Sequence, residues 1–171
     1  QVEPDLEFRA PPVGLHCGAR VALDRQPAVG AAADGGVFDL DVFGVRLSGT
    51  LSAALAAPLG AEAPRLNAGR TYLVEIVVVN EGMGHAFPAG SADSVEAWLE
   101  VTVRAGDRIV GRNGALTGER GDVDPQAHFF GLYAVDQAGQ RVDGRNLTDW
   151  FVTLADTRVP PGGAAVARYR M

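Results

Sequence analysis

The chain has 171 residues, 47% of them hydrophobic and 21% charged, which is enough apolar material for one domain with a real core and too little length for two full ones. Fifteen basic residues against twenty-one acidic ones give a net charge of −6, and the basic residues never gather into a stripe that could follow a phosphate backbone, so nucleic acid is a poor partner. No window approaches the roughly 18 consecutive apolar residues of a membrane-crossing helix, and a single cysteine, Cys17, excludes an internal disulfide.

Residues 1–36 are rich in Pro, Gly and Ala, from Pro4 through Pro11, Pro12 and Pro27 to Gly35 and Gly36, without sustained periodicity. They read as an extended arm carrying one short strand near Ala19 to Leu23. From residue 37 to 171 the pattern becomes that of a β domain. Phe38, Leu40 and Val42 alternate with Asp39 and Asp41, and Val45, Leu47 and Leu51 continue on the opposite parity after Gly44, as a β-bulge would require. Thr71 to Asn80 is apolar on both faces, with Glu75 its only charge, and reads as a central strand. Val95 to Val103 alternates with Glu96, Trp98, Glu100 and Thr102, which predicts one buried and one largely wet face.

Ala105-Gly106-Asp107 predicts a hairpin into Arg108 to Val110. Further strands fit Ala127 to Val135, Asp149 to Leu154 and Ala164 to Met171, separated by Asp136-Gln137-Ala138-Gly139 and Val159-Pro160-Pro161-Gly162-Gly163. The nearest approach to helical spacing, Leu51 to Leu59, is ended by Pro58. The expected fold is therefore all-β, a two-sheet antiparallel sandwich of about seven or eight strands with an extended N-terminal arm.

One segment departs from ordinary strand-and-turn sequence: Asn80-Glu81-Gly82-Met83-Gly84-His85-Ala86-Phe87-Pro88-Ala89-Gly90, followed by Glu96-Ala97-Trp98-Leu99. It resembles a β-domain of bacterial multihaem c-type cytochromes, in which a strand ending in Asn leads to a Gly-His-x-Phe-Pro-Thr-Gly loop and then to a Trp-bearing strand. Ala89 replaces that threonine here. Later landmarks at Asp136 to Gln140, Asp143 to Asn146 and Val159 to Arg170 extend the likeness over roughly residues 71–171. Such cytochromes attach haem outside the cytoplasm through Cys-x-x-Cys-His, and no such motif occurs here; His16-Cys17 has the wrong order and lacks a second cysteine.

The resemblance thus implies a protein with no covalently bound cofactor that contacts a partner's haem, the partner being a multihaem c-type cytochrome or a membrane electron-transfer complex, photosynthetic or respiratory. It also implies a periplasmic or extracytoplasmic-surface location, an expectation to which a start at Gln1, without an initiator Met or leader, adds. The residues expected to face the partner or its haem are Met83, Gly84, His85, Phe87, Pro88 and Trp98. A neutral His85 imidazole can ligate iron or hydrogen-bond a propionate, while the commoner role of such a residue is to organise its own loop.

Other chemistries are less well supported. A blue-copper set from Met83, His85, His128 and Cys17 has its cysteine far upstream, away from the loop that would supply the other ligands. Asp93, Asp122 and Asp124 lack the spaced ligands of a calcium loop and suit turns. Neither a nucleophile elbow around Ser48, Ser91 or Ser94, nor a phosphate loop at residues 111–114, nor a zinc-binding histidine set is present, so no enzyme activity is expected. The alternative to an accessory subunit is an autonomous carbohydrate- or surface-polymer-binding module stacking sugars on Trp98, Tyr133 and Trp150.

Overall fold

In the computed structural model the described residues are 6–7, 15–23, 38–59, 64–89, 97–105, 107–117, 122–142 and 146–171. They form an all-β fold in which every strand pairing is antiparallel. One sheet is built from β1 (Leu6–Glu7), β2 (Leu15–Leu23), β6 (Ala97–Ala105) and β10 (His128–Phe130), with β7 (Arg108–Asn113) also paired to β6. A second has the order β14 (Ala164–Arg170), β5 (Leu73–Asn80), β3 (Phe38–Arg46), β4 (Leu55–Ala56). A three-stranded sheet joins β12 (Arg141–Val142), β11 (Leu132–Val135) and β13 (Val152–Asp156), and a ribbon joins β8 (Leu116–Thr117) to β9 (Asp122–Val123).

The two larger sheets share one core. Val42 and Val45 of β3, Val74, Ile76 and Val78 of β5 and Ala167 of β14 meet Ala97, Leu99 and Val101 of β6 and Phe130 of β10. The even-numbered residues of β5 fill this interior while Leu73, Glu75, Val77 and Val79 form its other face, as period two dictates. The bulge expected near Gly44 is present: the register of β3 against β5 shifts between Asp41 and Gly44, after which Val45 returns to the core beside Val74. The expected pairing of β6 with β7 is likewise present, Ala105 lying opposite Arg108.

Several expectations are corrected. β2 lies within residues 1–36, begins at Leu15 rather than Ala19, and pairs with β6 over all nine of its residues. The predicted strand over residues 127–135 is split at Gly131: β10 belongs to the sheet of β6, β11 to that of β13. Thr157 holds this corner, its Oγ1 accepting from the Gly131 N–H at 3.0 Å and lying 3.2 Å from the carbonyls of Phe129 and Gly131. Fourteen strand segments occur among the described residues where periodicity alone resolved about half as many, the excess being this split and the two-residue segments β1, β4, β8, β9 and β12.

The outward face of β6 is not wet either. Trp98 is 4% exposed and Glu100 5%, because Phe129 lies tilted on the indole at 6.4 Å and Arg112 of β7 reaches the Glu100 carboxylate at 3.0 Å. The predicted strand at 149–154 begins three residues later, since residues 147–149 make a short 3-10 turn before β13.

Candidate functional site

The loop that follows β5 is fixed from below by one residue. Asn80, the last residue of that strand, is fully buried, paired with Phe38 of β3 on one side and with the turn before β14 on the other. Its backbone N–H donates to Gly163 O and its carbonyl accepts from the Gly162 N–H, both at 2.9 Å. The amide side chain then fills the space beneath the loop. Oδ1 accepts from the Met83 N–H at 3.1 Å, and Nδ2 donates to the carbonyls of His85 (2.9 Å) and Val159 (3.2 Å). An amide is the side chain suited to this position, because it offers an acceptor on one side and two donors on the other without carrying charge into the interior.

The far end of the loop is fixed as firmly. Phe87 and Val159 exchange two backbone hydrogen bonds of 2.8 Å, and the Phe87 ring drops into the core against Phe130 at 6.5 Å. Pro88, joined to Phe87 by a cis peptide bond, is fully buried. Met83 is half-buried against the core cluster, whereas Gly84 and His85 are exposed. A Cβ added at Gly84 would meet nothing within 4 Å, so crowding does not explain this glycine. The His85 ring has one short contact, Nδ1 to the carbonyl of Ala86 at 3.2 Å, and the work of organising the loop falls to Asn80.

Five of the six residues anticipated from the sequence therefore lie in one braced loop, and Trp98 does not join them. Ala97 and Leu99 share the core with Phe87, so Trp98 projects from the opposite face of β6, where its Nε1 donates to Gly114 O at 2.9 Å. Gly114 has φ +74°, and a Cβ there would fall on the Leu99 carbonyl oxygen, so only glycine lets this turn lie against β6. The residues that sequence reasoning underweighted are Asn80, Val159 and Gly162–Gly163. Asn80 opened the quoted motif, but nothing in local periodicity announces that a Pro-Pro-Gly-Gly turn some eighty residues away will close over it.

The remaining candidates are dispersed. His128 sits on β10, half-buried and edge-on to Phe130 at 5.1 Å, and burial holds its imidazole below the ordinary range. Asp124 is a turn-maker, accepting from the backbone of Gly114 (3.2 Å) and Gln126 (2.9 Å). Among the described residues no three His, Cys, Asp or Glu side chains converge as a ligand group; Asp93 lies outside the described residues. Tyr133 carries the Arg141 guanidinium 5.3 Å above its ring, and Trp150 packs against a small separate core of Leu132, Ala134 and Val142. Comparisons with protein-family models, curated proteins and solved structures find no match for this chain.

Proposed function

We propose that the chain is a non-catalytic accessory module that binds and positions a multihaem c-type cytochrome, or the electron-transfer complex containing one, through the 81–88 loop. The observation that carries the reading is the division of labour in that loop: Asn80, Phe87 and Pro88 are buried and hydrogen-bonded or packed, while Gly84 and His85 stand exposed above them. A loop already ordered before contact loses little further entropy on association. An exposed imidazole offers a hydrogen bond to a haem propionate or a nitrogen to its iron. The likeness of residues 80–90 to the cytochrome-associated β-domain supplies the partner class, and with it an extracytoplasmic location.

The carbohydrate-binding alternative is weakened by the same geometry. Its stacking platform needed Trp98, Tyr133 and Trp150 on one surface, yet Trp98 is buried on β6, Tyr133 is roofed by Arg141, and Trp150 covers a different sheet.

The test is affinity capture of the native protein from its source in mild detergent, with haem staining and mass spectrometry, followed by titration of the captured cytochrome with purified wild type and His85→Ala. Recovery of a c-type cytochrome whose affinity falls about tenfold or more in the variant, about 1.4 kcal/mol, is the expected result. Recovery of the chain alone overturns the reading.

A further inference from the structure

The outward face of the sheet β14-β5-β3 is sorted by charge along its length. Strand register places Asp39 beside Val79 and Asp41 beside Val77, whereas Arg46 and Arg170 flank Leu73 and Arg168 flanks Glu75. Leu40 packs into the core from the opposite face of β3, and Ala165, Ala167 and Tyr169 do so from β14, so the aspartates and arginines share the outward side with Val77, Val79 and Val166. At the arginine end Glu75 takes up two of the cations, through Arg46 Nε at 2.8 Å and Arg168 Nε at 3.2 Å. No arginine of these strands lies at the aspartate end, and the carboxyl of Asp41 is raised by burial and by Asp39. About six residues of β5 separate the two ends, or ~20 Å at ~3.3 Å per residue.

Asp39, Asp41, Val166, Arg168 and Arg170 are all exposed, and Val77 and Val79, half-buried, lie in the same rows as the two aspartates. The face therefore has a negative, valine-bearing half and a positive half. A surface of that kind is complementary to itself: a two-fold axis that reverses it sets each copy's aspartate end over the other's arginine end. We propose that this face pairs with the same face of a second copy of the chain, Asp39 and Asp41 of each lying against the Arg46, Arg168 and Arg170 end of the other. Three strands ~4.8 Å apart and ~26 Å long offer only a few hundred Å² per copy, below the ~800 Å² per partner of a standard interface. The dimer is accordingly weak, concentration-dependent and sensitive to salt.

Sedimentation equilibrium of the full chain tests this from ~1 μM to ~1 mM, at low and at ~1 M salt, on wild type, Asp39→Arg/Asp41→Arg and Arg170→Glu. The aspartate variant makes both ends net positive, and Arg170→Glu removes the net positive charge of the other end while leaving both partners of Glu75. Wild type is expected to approach twice the mass of one chain at the highest concentrations. Each variant alone should lose about tenfold or more in association constant, and an equimolar mixture of the two should recover part of it, because one of the two end contacts then joins opposite charges. A wild type that stays monomeric, a variant that associates as well as wild type, or a mixture that fails to recover overturns the proposal. Circular dichroism establishes that each variant is folded; where a charge reversal unfolds the chain, Asp39→Asn/Asp41→Asn and Arg170→Gln carry the same test through the loss of about threefold or more that each must show.

Discussion

Replacing Asn80 tests the bracing of the loop most directly. Asn80→Ala removes three hydrogen bonds, to the Met83 N–H and to the carbonyls of His85 and Val159. The losses are unequal. Val159 O keeps the bond from the Phe87 N–H, and the His85 carbonyl belongs to an exposed residue that water can reach. About 1 kcal/mol for each bond and a further ~1 kcal/mol for the void left by a fully buried side chain give a destabilisation of about 3–4 kcal/mol.

Asn80→Asp sharpens the argument, because it keeps the acceptor that Met83 uses and turns two donor bonds into a carboxylate oxygen facing two carbonyls. Ionisation is opposed there, so the folded-state pKa is raised above the unfolded value of about 3.9. A raised carboxyl lets the fold keep its proton: stability relative to wild type is greatest below the unfolded pKa and falls as pH rises through the folded one. Urea unfolding followed by the fluorescence of Trp98 and Trp150 should therefore place Asn80→Asp close to or below Asn80→Ala at pH 7 and well above it near pH 4. An Asn80→Ala cost under ~1 kcal/mol, or an aspartate variant whose difference from wild type ignores pH, refutes the bracing role.

Further expectations follow from other buried groups. Burial alone raises the Glu75 carboxyl, but the hydrogen bonds and charges of Arg46 and Arg168 outweigh it and hold the group below its ordinary 4.5. Its contribution is thus present above that value and lost as pH falls through the lower folded one; Glu75→Gln should cost about 1–2 kcal/mol at pH 7, discounted because Arg168 is 43% exposed, and should lose that deficit in acid unfolding curves. Gly114→Ala forces a Cβ against the Leu99 carbonyl and should lower stability by about 3 kcal/mol or more, with a changed near-ultraviolet signal from Trp98. Thr157→Val removes the hydroxyl at the sheet-switching corner and should cost about 1–2 kcal/mol, read as a lowered urea midpoint at unchanged slope. His85→Ala should alter stability by less than about 0.5 kcal/mol in the same unfolding assay, since the ring is exposed.

What the sequence made legible was whatever is written in a two-residue period. The both-faced apolarity of Leu73 to Asn80 marks the central strand, and the parity change at Gly44 marks the bulge, because both are local consequences of side chains alternating across a pleated sheet. Non-local facts were not legible in that way. The burial of Trp98 and Glu100 depends on what Phe129 and Arg112 bring across the outer side of β6, and the alternation of polar and apolar residues along one strand says nothing about a cover arriving from others. The break at Gly131 has the same origin, being set by a threonine 26 residues away. Within the candidate site, residues 80–88 were recognisable as a unit, whereas Val159 and Gly162–Gly163 enter only through tertiary pairing.

That pairing is what gives the proposed role its physical sense. Because the bonds that order the loop run downward, from Asn80 to His85 O and Val159 O and from Phe87 to Val159, none of them uses the imidazole of His85. On the proposed reading, folding and recognition fall to different atoms of the same short segment. Variants of the brace should weaken partner binding only in proportion to the stability and order they remove, whereas variants of His85 should weaken it with the fold intact. Comparing Asn80→Ala with His85→Ala in both unfolding and cytochrome titration separates these roles. If His85→Ala bound normally while Asn80→Ala did not, the contact would belong to the loop backbone rather than to the imidazole, and the haem-facing assignment of His85 would have to be abandoned.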